Sequence, residues 1–286
     1  MSGGPIWITG AGGLIGHHLF QTATAAAPRN RIVALTRDRL DLADFQRVRQ
    51  EFREAQPSMV MHCAALSRSP ACQADPALAR RQNVEVTAHL SDLAAEIPFV
   101  FFSSDLVFDG RDGNYDEHAH VNPLSVYAET KVLAERIVLA NPLHLVVRTS
   151  LNCGVSPTGD RGFDEQLRRG WEAGQTQRLF TDEFRCPIPA EATARAVWEL
   201  AAKGATGLYH VAGAERLSRW QIGRLYASQW PELKPNIEPA SLKEYRGAPR
   251  APDTSLNCAK AQAKISFPLP SLSEWLSCEP SRIQTG

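Results

Sequence analysis

Short, strongly apolar runs recur through the first half of the chain. Longer stretches separate them, in which apolar residues return every three or four positions. Residues 6–9, 31–36, 58–65 and 99–104 read as strands, nearly continuous in apolar character rather than alternating. That pattern belongs to strands covered on both faces, as in a parallel sheet. Between them, residues 44–55 place Phe45, Val48 and Phe52 at helical spacing, and residues 76–96 predict one long helix containing Asn83. Strand and helix alternate through Gly154, which predicts an α/β fold with a doubly wound parallel sheet. Beyond Gly154 the pattern loosens, with helices expected at 163–173, 190–203, 217–230 and 271–277 and a strand at 207–211. Two parts follow: residues 1–154 around the sheet, and residues 155–286 mainly as a smaller C-terminal lobe over its edge. Segments near 190–212 are expected to return to the main sheet.

The first strand runs into Gly10-Ala11-Gly12-Gly13-Leu14-Ile15-Gly16, a G-x-x-G-x-x-G turn that opens a helix. Strand, glycines and helix in this order meet the demands of a dinucleotide site: a tight turn, close approach of backbone to a pyrophosphate, and close packing of helix on strand. Gly10, Gly13, Leu14, Ile15 and Gly16 would carry the phosphates on helix N-terminal amides. The second strand ends in Thr36-Arg37 instead of the acid that usually holds an NAD ribose. A cation there accommodates a 2′-phosphate, so NADP(H) is favoured over NAD(H), with a solvated loop charge as the alternative for Arg37. Ala64 and Ala65, at the end of the third strand, would let a cofactor lie against the backbone.

A second pattern lies in Tyr127-Ala128-Glu129-Thr130-Lys131. Positions i and i+4 share a helix face, so phenol and ammonium stand one turn apart. A nearby cation favours phenolate, and the expectation is that Lys131 draws the Tyr127 pKa toward neutrality, where it exchanges a proton with a carbonyl oxygen. Ser104, closing a central strand, can hydrogen-bond that same oxygen.

Together, the glycine turn, Ser104 and Tyr127-x-x-x-Lys131 resemble the extended short-chain dehydrogenase/reductases. Ser103-Ser104-Asp105-Leu106-Val107-Phe108-Asp109-Gly110 narrows this, because it is similar to the S-T-D-Y-V-F-D-G segment of dTDP-4-dehydrorhamnose reductases, a sugar nucleotide-binding family. Residues 64–83, Asn122-Pro123-Leu124, Arg148-Thr149-Ser150 and Gly207-Leu208-Tyr209-His210 follow the same family. The resemblance implies a Rossmann domain with a small substrate lobe, a nicotinamide cofactor and a nucleotide-linked keto-sugar. It makes Tyr127 the proton donor, Lys131 its partner and a ribose ligand, and Ser104 the carbonyl-orienting hydroxyl. Candidate substrate contacts are Ser67, Asp105, Leu106, Leu151, Arg185 and Arg250. Leu106 and Leu151 stand where that family carries aromatics, and Pro70 and Gln73 where it carries acids, which implies altered substrate choice. A sugar-nucleotide epimerase or dehydratase is the alternative enzyme. A non-catalytic NADP-binding subunit resembling methionine adenosyltransferase beta is the alternative outside catalysis.

Composition narrows the partners. Lys plus Arg and Asp plus Glu are both 31, so no net charge draws the chain to nucleic acid or an anionic membrane. Six scattered cysteines without a C-x-x-C predict neither zinc nor disulfides, in keeping with a reducing cytoplasm. Glu117-His118-Ala119-His120 offers two imidazoles but no third ligand, and no metal is expected. With the first strand so close to Met1, no signal peptide is expected, and no apolar run reaches spanning length. The expected partners are a small nucleotide-sugar or related carbonyl and, at most, a second copy of the chain in a homodimer.

Overall fold

The computed structural model describes residues 3–278. Six parallel strands form one sheet: β1 (Ile6–Thr9), β2 (Ile32–Leu35), β3 (Met59–His62), β4 (Phe99–Ser104), β5 (Leu145–Thr149) and β6 (Gly207–Val211). Their spatial order is β6-β5-β4-β3-β1-β2, and the chain reverses direction across the sheet between β1 and β3. In open α/β sheets ligands bind beyond the carboxyl ends of the strands at such a switch point. Every residue of β4 is buried, as its unbroken apolar run requires.

Helices cover both faces. On one, α1 (Leu14–Ala26) and α6 (Ala190–Ala202) lie side by side, and the Trp198 indole N–H donates to the Leu19 carbonyl at 3.1 Å. The other carries α2 (Phe45–Ala55), α3 (Val86–Leu93) and α4 (Val126–Leu139). Asp44 caps α2 by accepting from the Arg47 N–H at 3.1 Å. The single helix expected over 76–96 is broken instead. An α turn at Pro76–Arg80 passes into a π-helical turn at Arg81–Glu85 before α3 begins. A buried bidentate pair, Arg148 to Glu135 at 2.7 and 2.9 Å, ties α4 to β5. No helix among the described residues is long and apolar enough to cross a membrane, and all six cysteines are free thiols.

The remaining chain forms a lobe around α5 (Phe163–Glu172) and α7 (Arg219–Gln229), with Leu167, Trp171, Tyr226 and Trp230 at its centre. Asp164, in the first turn of α5, is buried there. Its Oδ2 accepts from the Gly154 N–H at 2.8 Å, and its Oδ1 has no hydrogen-bond partner among the described residues. Burial, aided by the neighbouring Glu165 charge, pushes this carboxyl up to about 7. A folded-state pKa raised above the ordinary 3.8 means the native state holds the proton longer. The contribution of Asp164 to stability is therefore greatest at acid pH and falls as pH rises from about 4 to 7, at about 1.4 kcal/mol per unit of displacement. Asp164→Asn removes this dependence. Urea unfolding at pH 5 and pH 8 should show the parent losing more stability than the variant, and parallel changes in both would refute the assignment.

Candidate active site

β1 ends at Thr9, and Gly10 turns the chain with φ of +66°. A Cβ on Gly10 would stand 2.6 Å from the Ala64 nitrogen, and one on Gly16 2.4 Å from the Gly10 oxygen. Neither position has room for a side chain, so the turn is pressed between the loop after β3 and α1. Gly13 is the N-cap of α1, with extended backbone and no side chain to satisfy the first-turn amides, and that turn carries no acid. Such a terminus is open to an anion. Residues 58–65 were expected to be strand throughout, but β3 ends at His62 and residues 63–68 form a loop beside the turn. Arg37 lines the cleft at the end of β2, and its guanidinium has no hydrogen bond or ion pair to any described residue.

Ser104 ends β4, the neighbour of β3 in the sheet. Tyr127 and Lys131 lie on α4, whose first turn is held by Ser125 accepting from the Ala128 N–H at 3.3 Å. All three side chains are buried and line the same cleft. Electrostatics here depart from the sequence expectation. Burial, with the Asp105 carboxylate adding to it, raises the Tyr127 phenol above its ordinary value, while a hydrogen bond with Ser104 pulls it partly back. The Lys131 ammonium does not draw the phenol toward neutrality. It rests over the Phe101 ring, 4.1 Å from the centroid, and burial lowers it to about 8 against the opposing pull of Glu135. The resting tyrosine thus keeps its proton.

Asp105 follows Ser104 and is fully engaged. Its Oδ1 accepts from Ser104 at 3.1 Å, and its Oδ2 accepts from Ser150 at 2.7 Å and Thr254 at 2.9 Å. Arg185 is also committed to the protein. Its Nη1 donates to the Ala251 carbonyl at 3.1 Å, its Nη2 meets Glu183 at 3.0 Å, and its Nε lies 3.7 Å from Asp105. Both residues form the cleft floor, but neither presents a free polar group to a ligand. Arg250 donates twice to Glu183, at 2.6 and 2.9 Å, and lies between Phe180 and Tyr245. Glu183 also accepts from Arg219 at 3.1 Å. Burial opposes its charge, yet Arg219, Arg185 and Arg250 hold it down at about 2. Three arginines around one carboxylate leave this end of the cleft cationic. Sequence reasoning missed Arg219 and Thr254, because no spacing links either to its partner. Leu106 and Leu151 add apolar wall, and Ser67 lies on the β3 loop. His118 and His120 are exposed, and Glu117 accepts from the His210 N–H at 2.9 Å.

The candidate residues, from Gly10 to Arg250, line one continuous cleft of about 1510 Å³. Ordinary single-ligand pockets run to about 1,000 Å³, so this one has room for two. A glycine turn at a sheet switch point, facing a Tyr-x-x-x-Lys helix and a strand-end serine, is the architecture of the extended short-chain dehydrogenase/reductases. Within that class the chain belongs to the RmlD substrate binding domain family, which matches residues 4–278. The chain is 31% identical to the "Probable low-salt glycan biosynthesis reductase Agl14" of Haloferax volcanii over 76% of this chain and 77% of that one. It is 27% identical to the dTDP-4-dehydrorhamnose reductase of Sinorhizobium fredii, over 87% and 88%. The rat methionine adenosyltransferase 2 subunit beta is 26% identical, over 90% and 81%. Among solved structures, the dTDP-4-dehydrorhamnose reductase of Bacillus anthracis in complex with NADP superposes with a TM-score of 0.88 at 22% identity, over 96% and 98%.

Proposed function

We propose that this chain is an NADP(H)-dependent reductase of a nucleotide-linked keto-sugar or a similar carbonyl. The observation that carries the reading is the meeting in one cleft of the glycine turn, Ser104, Tyr127, Lys131 and a cationic far end. The turn and the open amides of α1 suit a pyrophosphate, and Lys131, one helical turn below Tyr127, suits the ribose beside it. The nicotinamide supplies a hydride when bound. On the protein side, the Ser104 hydroxyl orients the carbonyl oxygen and Tyr127 delivers a proton to it. Tyr127 holds its proton in the resting cleft, which is the form a donor to the carbonyl oxygen must have. The arginine-rich end suits the phosphates of a nucleotide-sugar.

Arg37 carries the cofactor preference. It is a guanidinium without a partner among the described residues, at the end of β2, where a 2′-phosphate would lie. Arg37→Ala is expected to weaken NADPH roughly tenfold while leaving NADH unchanged. Calorimetric titration of both cofactors checks this, and equal affinities in the parent would refute the preference.

A second reading has a specific observation behind it. Leu106 and Leu151, which stand where the resembled reductases carry aromatics, line the cleft, and relatives include beta subunits of methionine adenosyltransferase 2. On that reading the chain binds NADP and regulates a partner enzyme. A panel of nucleotide-linked keto-sugars with NADPH separates the two: oxidation of NADPH supports the reductase, and binding without turnover supports the regulatory subunit.

A further inference from the structure

Residues 154–162 lead into α5 without regular structure of their own. The two ends of this segment nearly touch, since a Cβ on Gly162 would stand 3.4 Å from the Gly154 oxygen. Gly154 and Gly159 turn it, with φ of +122° and +62°. The result is a compact loop of the Ω type. Its base on the lobe is closely tied. Glu165 accepts from the Ser156 N–H at 2.6 Å, the Ser156 hydroxyl at 2.8 Å, the Arg161 N–H at 2.7 Å and the Gly162 N–H at 2.8 Å. Asp164 takes the Gly154 N–H, and Arg169 donates to the Thr158 carbonyl.

The same loop reaches the sheet on both banks of the cleft. On α1, two residues beyond Gly16, the His18 Nε2–H donates to the Val155 carbonyl at 3.1 Å. On the opposite bank, Arg68 in the loop after β3 donates to Asp160 at 3.0 Å. Between these tethers Thr158, Asp160 and Arg161 line the cleft together with the glycine turn. The contacts at each end decide which end lets go. Glu165 alone accepts four hydrogen bonds at the base, whereas the Arg68 side chain is 61% exposed and that of Asp160 28%. Solvent-exposed ion pairs are weak.

We propose that residues 154–162 form a strap across the pyrophosphate groove, anchored on α5, and that a dinucleotide enters and leaves when the Arg68–Asp160 and His18–Val155 contacts release. The proposal rests on the cofactor reading of the glycine turn. A reductase exchanges its dinucleotide at every turnover, so opening of the strap is a step of the working cycle. Kinetics separate a strap from a direct phosphate ligand. Loosening a strap speeds both entry and escape, whereas loss of a ligand speeds escape alone.

The test is stopped-flow measurement of NADPH association, and of its dissociation on displacement by excess NADP+. Arg68→Gln and Asp160→Asn should each raise both rates at least threefold, with the dissociation constant moving less than twofold. Asp160→Asn also separates the strap from simple charge. Removing a carboxylate near bound phosphates would by itself slow escape, and the strap requires faster escape. In protein without added cofactor, Arg68→Gln should raise the rate of tryptic cleavage after Arg161 at least threefold. Arg178→Gln is the control, breaking an exposed pair with Glu238 elsewhere in the lobe, and should leave every readout at its parental value. Parental rates in both variants would overturn the proposal, as would acceleration of escape alone or slower escape in Asp160→Asn. If the parent binds no dinucleotide, the cofactor reading fails by itself. Cleavage after Arg161 then judges the strap, and a parental rate in Arg68→Gln overturns it.

Discussion

Tyr127→Phe is expected to lower carbonyl turnover by roughly a hundredfold or more, with NADPH affinity nearly unchanged. The substitution keeps the ring, which packs against Cys72 and Ala79, and removes only the transferable proton. Because burial and Asp105 raise the phenol, Tyr127 stays protonated through the neutral range, and the alkaline limb of activity belongs to another group. That group is Lys131, whose burial lowers it to about 8. Turnover should decline above about pH 8 as the ammonium loses its proton. Lys131→Met should abolish that limb and weaken cofactor binding as well. A Tyr127→Phe variant with parental turnover would remove the proton-donor role and leave a binding fold.

The second large effect falls on stability. Glu183 is fully buried among Arg185, Arg219 and Arg250. Its charge opposes three guanidiniums, and Glu183→Gln leaves Arg219 and Arg250 without a counter-charge and Arg185 with only Asp105, 3.7 Å away. Breaking a buried pair in this way costs about 3–5 kcal/mol. For a chain of this size that corresponds to a fall in melting temperature on the order of 10 °C. The pH dependence has a definite sign. A pKa held near 2, against an ordinary 4.5, contributes stability above about pH 4.5 that is lost as pH falls toward 2. The parent should lose stability through that acid window and the variant much less. Differential scanning calorimetry at pH 7 and pH 3.5 measures both, and a melting point within about 2 °C of the parent at pH 7 would refute the role.

What the sequence made legible and what it hid follow from the range of the forces involved. Strands β1 to β4 were readable because continuous apolar runs reflect burial on both faces, a property local to each run. The glycine turn was readable because Gly10 and Gly16 are demanded by contacts within a few ångströms of their own backbone. Tyr127 and Lys131 were paired correctly as neighbours on a helix face, yet their electrostatics were not legible. The charge that acts on the phenol comes from Asp105, and the lysine settles over Phe101, and neither fact is written in an i, i+4 spacing. The break in the helix over 76–96 was hidden for a related reason. Apolar periodicity continues through it, and the contacts that accompany it, the Asn83 amide with Leu66 and Thr130, are long-range. Arg219 and Thr254 reach Glu183 and Asp105 from far along the chain, so only the folded arrangement reveals them.

The return of the chain to its own sheet has a consequence for biosynthesis. β6 and α6 come from beyond the first part of the lobe, yet β6 pairs with β5 and α6 shelters α1. A ribosome that has just finished β5 has made a sheet whose β5 edge still awaits its neighbour and part of one face of which is bare. Residues 150–206 must still emerge, which takes roughly 3–11 s at about 5–20 residues per second. Throughout that interval the β5 edge offers unpaired backbone groups, and the apolar surface later covered by α6 faces water. Until β6 and α6 arrive, that exposed apolar surface favours aggregation of the nascent chain. A gene split near residue 154 would make that transient exposure permanent, yielding two halves that must find each other rather than two domains that fold alone.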